Sequence, residues 1–375
     1  MLERTYPTLP SPYYFDPDHY SRECESIWGR EWLCLAHDSE FPEPGAFRVY
    51  PVGGQQVVIT RGLDGQLKAF HNTCRHRGSQ LCAEPTGTFS HGRVVCPYHG
   101  WVYSLDGKLT RTPRRIETSD FNPDDYSLYP VALETWRGFV FINLAASAGP
   151  SLADALGEEA VILTNWPLED LMVAHREISH IACNWKIFWE NYCECLHCPV
   201  VHKDLCELVP LYGKGLTSRK DLPDDDPMKT ARSYLADGKE TWSENGQTPL
   251  PRFRGLTPEE RDAGMTFADF LPGVFVVAHV DYLRSVHILP IGPEQTQLTV
   301  NWLLPASTLA AGDVDIDRLT RFARQVVAED RQVCELNQAG LHCTPHQCGV
   351  LLPQEHGVLW FDNWVRERLG EPLPG

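Results

Sequence analysis

Apolar positions along the chain change their rhythm part-way. Up to about residue 145 they come in short runs cut by turn residues: Val57-Val58-Ile59-Thr60, then Leu63-Asp64-Gly65-Gln66, then Leu67-Lys68-Ala69-Phe70. Asp-Gly between two such runs predicts a hairpin with a type I′ turn. Trp101-Val102-Tyr103 followed by Asp106-Gly107 repeats the signal, and Trp136–Leu144 (WRGFVFINL) predicts a further strand. Residues 28–145 therefore read as a small, strand-rich, all-β domain. Before it runs an N-terminal arm, residues 1–27, in which Pro7, Pro10, Pro12 and Pro17 oppose regular structure.

Beyond Ala145 the small-residue stretch AASAGPSLADAL reads as a linker, with Ser151 placed to cap a short helix. Segment 183–198 predicts a helix, 205–265 is polar and broken by prolines, and 270–305 alternates as strands do. A helix is expected at about 313–340. Strands with helices mixed among them make residues 146–375 an α+β domain. No internal repeat and no low-complexity tract interrupts this plan.

Length and charge narrow the classes. The 375 residues are enough for two buried cores. With 33 basic against 50 acidic side chains the net charge is −17, the wrong sign for a nucleic-acid partner. No apolar run approaches the roughly 20 residues of a membrane helix. The N-terminal MLERTYPTLPSPYYF lacks the apolar core of a signal peptide, so a cytoplasmic protein without membrane association is expected. Thirteen cysteines and fifteen histidines change the picture more, because several of them cluster. In a chain without an export signal, clustered cysteines point to metal or redox chemistry.

Cys74-Arg75-His76 and Cys96-Pro97-Tyr98-His99 form a C-x-H and C-x2-H pair with 19 residues between the halves. Two thiolates can hold one iron and two imidazoles the other in a two-iron cluster with unlike ends, a pairing that raises its reduction potential. Zinc also accepts two cysteines and two histidines. Zinc fingers, however, usually group cysteine with cysteine and histidine with histidine, not one of each per loop.

A second constellation lies in NWKIFWENYCECLHCPVVH. Glu190, Glu194 and His197 recur at i, i+4 and i+7, one stripe of a helix. His202 lies about 140° further round an ideal helix, so a straight helix could not aim both imidazoles at one metal. Pro199 disfavours helix at Cys198 and lets the chain turn. Two imidazoles plus one carboxylate make the open-sided facial triad of an oxygen-activating iron site. The late helix offers the carboxylate: Leu319, Phe322, Val326 and Val333 build an apolar face, Asp330 borders one edge and Glu329 the other, while Glu335 points nearly opposite. The wheel discounts Glu335 and leaves its two neighbours open.

CRHRG followed by CPYHGW resembles the Rieske signature of the ring-hydroxylating-type oxygenases, with Tyr98 where respiratory Rieske proteins carry a disulfide cysteine. The run Glu190-Asn191-x-x-Glu194-x-x-His197-x4-His202 resembles the mononuclear iron motif of the same family, and EDRQVCE its C-terminal ligand helix. The resemblance implies a Rieske [2Fe-2S] domain followed by a helix-grip-like α+β catalytic domain with an antiparallel sheet. It implies a cluster on Cys74, His76, Cys96 and His99, mononuclear Fe(II) on His197, His202 and Asp330, and O2 as co-substrate. Asn191 and Glu194 become catalytic candidates. Glu194 occupies the place of an acidic residue that, in the family, bridges the Rieske histidine of one subunit to the iron histidine of the next. A homotrimer is implied, and so is a separate flavin/iron-sulfur reductase delivering electrons from NAD(P)H, since the chain has no G-x-G-x-x-G fingerprint.

Glutamate at 194, with Cys195 after it and Cys198 after the histidine, resembles the branch acting on quaternary ammonium compounds such as glycine betaine, carnitine, stachydrine and choline. Leu196 stands where that branch usually has tyrosine. The implied reaction is hydroxylation of an N-methyl group, with release of formaldehyde as net demethylation. The alternatives are a Rieske hydroxylase or demethylase of aromatic substrates, and a pure electron carrier, which would leave residues 146–375 without a task. A quaternary cation is held by aromatic faces, and Phe270, Phe275, Tyr282 and Trp302 lie in the strand region that could wall such a site.

Overall fold

The turn-punctuated N-terminal half forms antiparallel sheet. The computed structural model describes residues 1–145 and 149–374; residues 146–148, where the linker and the start of the second domain are expected, lie outside the described residues. Trp28–Ala155 make one compact unit. Its strands are β1 (Leu33–His37), β2 (Ala46–Val52), β3 (Gln55–Arg61), β4 (Leu67–His71), β5 (Thr86–Thr88), β6 (Arg93–Val95), β7 (Val102–Ser104), β8 (Leu109–Arg111), β9 (Pro130–Trp136) and β10 (Phe139–Asn143). Seven pair in the order β1-β10-β9-β4-β3-β2-β5, and β6-β7-β8 form a small separate sheet.

Two turns differ from expectation. The β3–β4 hairpin forms with Val58 opposite Phe70, but Asp64 keeps an ordinary negative φ and only Gly65 is left-handed at 79°. The Asp64 carboxylate accepts from the Gln66 N–H at 2.9 Å, which favours a type I turn followed by a left-handed glycine over type I′. The tight turn falls instead inside the expected strand Trp136–Leu144. Arg137 (φ 47°) and Gly138 (φ 92°) fold it back, so Trp136 pairs with Phe139 across a hairpin.

The second unit comprises Met1–Ile27 with Leu156–Gly375. The arm is less irregular than its prolines imply. Pro17 begins α1 (Pro17–Glu23), where a fixed φ suits the first helical position, and Asp16 caps it by accepting from Asp18 N and His19 N. Five strands make an antiparallel sheet: β11 (Leu171–Ile181), β12 (Met265–Phe270), β13 (Val274–His279), β14 (Leu283–Gly292) and β15 (Gln295–Pro305), in the order β11-β15-β14-β13-β12. All six residues of β13 are buried, as the apolar run Val274–Ala278 suits for a strand covered on both faces, and His279 is buried at its end.

The helix expected over 183–198 is shorter and divided. α2 (Trp185–Tyr192) starts at Asn184, whose side chain accepts from Lys186 N. It stops where the Glu194 carboxylate takes the Leu196 N–H, a local bond that competes with the helical ladder. The chain resumes as α3 (Cys198–Val201), breaks at His202, and continues as α4 (Lys203–Leu208). Pro199 lies in the first turn of α3, where proline is tolerated, so the bend precedes it. Two further helices matter: α5 (Ile316–Leu341) and α6 (His356–Leu369). The buried face of α5 runs through Phe322, Val326, Cys334 and Gln338, which puts Asp330 in line with that face.

A buried ion pair fixes the start of α2. Lys186 Nζ donates to Glu23 Oε1 at 2.5 Å and to Asn184 Oδ1 at 2.8 Å, and Trp185 Nε1 donates to the other Glu23 oxygen at 2.8 Å. Neither ion is exposed. Glu23→Ala would strand the ammonium in the core and is expected to cost about 3–5 kcal/mol. Urea denaturation of Glu23→Ala, Lys186→Met and the pair Glu23→Leu/Lys186→Met tests this. The double variant should lose less than either single; three equal losses would show that packing, not pairing, matters.

Candidate metal centres

The Cys74 and Cys96 loops are built alike. In each, the glycine four residues on (Gly78, φ 74°; Gly100, φ 72°) donates its N–H to the cysteine carbonyl, closing a turn that aims cysteine inward and histidine outward. Both cysteines are buried at 2% exposure, and the His76 and His99 rings meet with centroids 4.6 Å apart. His76 stacks on Trp101 at 4.7 Å. Burial raises the Cys74 thiol pKa, and the adjacent Cys96 thiol adds to the rise, while the Tyr103 hydroxyl, 3.2 Å from Cys74 Sγ, opposes it. The position of Tyr103 could not be read from the Rieske motif; a hydroxyl at a cluster sulfur is a known lever on potential.

The spread of these four ligands tests cluster against zinc. Ligands of one tetrahedral zinc, at about 2.0–2.3 Å from the ion, lie within roughly 4.6 Å of one another. Among the described residues, the group whose ligand atoms all fall within 4.8 Å is a different one: His197, His202 and Asp330. Paired buried thiols beside paired imidazoles supply the two unlike ends of a two-iron cluster.

The second centre forms where α2 ends. His202 Nε2 lies 2.9 Å and His197 Nε2 3.6 Å from Asp330 Oδ1. Each imidazole is held from behind: His197 Nδ1 by Glu194 Oε1 at 2.5 Å, His202 Nδ1 by Glu329 Oε2 at 2.7 Å. Such carboxylate–imidazole pairs orient metal-binding nitrogens. Burial pulls the His197 pKa down, but hydrogen bonds to Asp330 and Glu194 outweigh it and bring it up to about 9. Burial raises Asp330, and the two imidazoles hold it below its ordinary value nonetheless. Three carboxylates around two imidazoles form an electron-rich nest suited to a divalent cation, and this donor set fits iron.

Several sequence readings change here. Glu190 does not share a stripe with Glu194 and His197; it accepts from the Tyr14 hydroxyl at 2.7 Å, and burial together with the neighbouring Asp362 raises its pKa. Glu329, left open beside Asp330 by the wheel, is the partner of His202 Nδ1, on the ring's far side from Asp330. Glu335 lies away from the centre, bonded to Ala182 N and Arg331. Asn191 Nδ2 reaches within 3.3 Å of His197 Nε2.

A cavity of about 320 Å³ opens beside the triad, between the sheet and the helices, with Trp360 of α6 half exposed at its rim. None of Phe270, Phe275, Tyr282 and Trp302 lines it. Phe270 has the opposite strand parity from Phe267 and Asp269, which do. Phe275 stacks behind Tyr192 at 3.8 Å, Tyr282 packs on His279 at 4.2 Å, and Trp302 lies one strand further out against His175. The aromatic lining comes instead from Phe188, Tyr192, Tyr212, Trp242, Phe267 and Trp360.

Residues 168–371 match the family model for the ring-hydroxylating alpha subunit (catalytic domain), and residues 31–122 match the Rieske [2Fe-2S] domain. The chain belongs to the ring-hydroxylating α-subunit family. It is a Rieske-type monooxygenase, an oxidoreductase with a [2Fe-2S] cluster and a mononuclear iron as cofactors and O2 as co-substrate. As an oxygenase subunit it takes electrons from a reductase and acts on a small molecule. No helix among its described residues is long and apolar enough to cross a membrane. It is 30% identical to the glycine betaine monooxygenase oxygenase subunit of Chromohalobacter salexigens, covering 96% of this chain and 86% of that protein. It is 28% identical to the chloroplastic choline monooxygenase of Beta vulgaris, over 96% and 77%. Its fold matches the crystal structure of the quaternary ammonium Rieske monooxygenase CntA in complex with substrate γ-butyrobetaine, at TM-score 0.75 and 24% identity over 97% and 96% of the two chains.

Metal content checks the ligand sets of this α subunit. Asp330→Ala should lose the mononuclear iron and keep the cluster's visible absorption, Glu329→Gln should weaken iron binding about 10–100-fold, and Cys74→Ala or Cys96→Ala should abolish the cluster spectrum. Full iron in Asp330→Ala, or a cluster signal surviving in either cysteine variant, would overturn the corresponding assignment.

Proposed function

We propose that the protein hydroxylates an N-methyl group of a small quaternary ammonium compound, of betaine, carnitine, stachydrine or choline type, and so demethylates it with release of formaldehyde. The observation that carries this reading is the composition of the cavity. Tyr192 and Phe267 line the space beside the triad next to Asp269, and a cation without N–H groups is best held by ring faces, each worth roughly 0.5–2 kcal/mol. Relatives named glycine betaine and choline monooxygenase support the same substrate class. An aromatic substrate would also fit between rings, but it would leave Asp269 without a charge to meet. That carboxylate lines the cavity and accepts from the Tyr192 hydroxyl at 2.9 Å; burial pushes its pKa up to about 6, so near neutrality it presents a negative charge that a cation would compensate.

In this reading Cys74, His76, Cys96 and His99 hold the cluster, and His197, His202 and Asp330 hold the iron. When bound, these groups supply single electrons and activation of O2. The chain's part is to position. Glu194 and Glu329 keep the Nε2 atoms of the two histidines turned toward Asp330, the rings exclude water from the N-methyl group, and Asp269 with Tyr192 fixes the cation. Glu194 is also proposed as the electron bridge between subunits of a homotrimer. Its oxygens are engaged by His197 and by Leu196 N, each retains a second lone pair, and its side chain is partly exposed.

A panel of glycine betaine, carnitine, stachydrine, choline and benzoate, with a reductase and O2, tests the substrate class. Formaldehyde should appear with at least one ammonium compound and not with benzoate; oxidation of benzoate alone would refute the proposal. Glu194→Gln should keep the fold and the cluster; loaded with excess Fe(II), to offset a weakening like that expected of Glu329→Gln, it should still reoxidise at least tenfold more slowly in single-turnover stopped-flow. Unchanged reoxidation would remove the bridge.

A further inference from the structure

One side chain in the cavity carries a charge that no ion pair among the described residues answers. Arg284, on β14, is 4% exposed and lines the cavity. Its Nε is buried with no hydrogen-bond partner, and no carboxylate oxygen lies within 4.0 Å of its guanidinium among the described residues. The Trp242 ring centroid lies 5.3 Å from its Cζ, and the carboxylate of Asp330 acts on it through space without an ion-pair contact. Trp242 is itself fixed, its Nε1 donating to Met265 Sδ at 2.7 Å and its carbonyl accepting from the Tyr282 hydroxyl at 2.9 Å. A buried, unpaired guanidinium is costly, because arginine does not shed its proton and its five N–H donors need acceptors. Such a group is kept where a ligand supplies the anion. Guanidinium and carboxylate match as a fork with two parallel hydrogen bonds.

The strand register places this cation relative to the rings. Phe267 on β12 faces Val277 on β13, and Val277 faces Arg284 on β14, so the three form one row across the sheet. Two strand spacings separate the ends of the row by about 10 Å at the backbone. Val277 is the short floor between them. Asp269 stands two residues along β12 from Phe267, on the same face. The cavity thus has a ring-and-carboxylate end and a guanidinium end.

We propose that Arg284 binds the substrate's carboxylate, so that the site selects a zwitterion carrying both a quaternary ammonium and a carboxylate, and discriminates against cations such as choline that have a hydroxyl instead. The proposal rests on the quaternary ammonium reading above and narrows it. It also explains why a pocket for cations contains a buried cation: the two charges of a betaine-type molecule meet opposite charges at opposite ends.

Binding by calorimetry and KM by formaldehyde release, on holoenzyme with both metals, would be compared for wild type, Arg284→Gln and Arg284→Lys. The probes are glycine betaine and carnitine, choline, and butyrate, which keeps a carboxylate and lacks the ammonium. Wild type should favour a carboxylate-bearing ammonium over choline by about a hundredfold. Arg284→Gln should raise KM for the zwitterions by a similar factor and change choline less than threefold, and Arg284→Lys should recover part of the loss. Equal effects on zwitterions and choline, or a wild type that prefers choline, would overturn the proposal. The wild-type comparison stands even if a variant fails to fold. Binding of butyrate by wild type but not Arg284→Gln, with no ammonium compound bound, would keep the anion site and refute the quaternary ammonium reading. Failure of wild type to bind any carboxylate would refute the anion site.

Discussion

Two imidazoles five residues apart must face one carboxylate carried on a distant helix, and much of the catalytic unit follows from that requirement. A continuous helix cannot do it, because the two rings would diverge. The chain therefore leaves helix after Tyr192, re-enters it at Cys198 and leaves again at His202. The break is written into the residues that use it: the Glu194 carboxylate that ends α2 is the same one that holds His197. On the other side, Asp330 must come from the buried face of α5, where a carboxylate would be unfavourable without the two imidazoles beside it. Buried charge, loop geometry and metal affinity are one arrangement.

The parts legible in the sequence are those whose period or spacing is strict. The strand-rich first half, the α+β second half and the long helix near 313–340 all announce themselves through apolar periodicity, and the Rieske residues through their spacing. The divided helix at 193–197 was not legible, because nothing in a helical wheel says that Glu194 will bond to the backbone. The α5 stripe misled at its margin for a related reason. Val333 looks like the apolar continuation, yet Cys334 and Gln338 are the buried residues, and this shift moves Asp330 from the edge of the face into it. The arm hid its helix for a simpler cause, since proline at a first helical position reads as disorder unless the preceding Asp16 cap is noticed.

The cavity was least legible. Aromatic residues on alternating strands all look like pocket walls, and only parity and neighbouring layers decide which rings reach the space. Phe267 does and Phe270 does not, three residues away on one strand. Arg284 carried a signal that could have been read: it is the one arginine or lysine inside the apolar alternation FVVAHVDYLRSVHILP. Charges in such a setting need a partner, and where no ion pair among the described residues supplies one, a bound ligand can.

The approach of α6 to the turn after α2 gives two nearby positions opposite fates. A Cβ on Gly357 would come within 2.5 Å of the Cys193 carbonyl oxygen, so any larger residue must displace the backbone from which Glu194 and His197 hang. One helical turn later, Trp360 borders the same cavity with half its surface open. Variation aimed at bulkier substrates therefore has a natural place to begin at 360, where trimming the indole would widen the doorway and leave the hinge beneath it intact. At 357 the same ambition would be spent on repairing the frame.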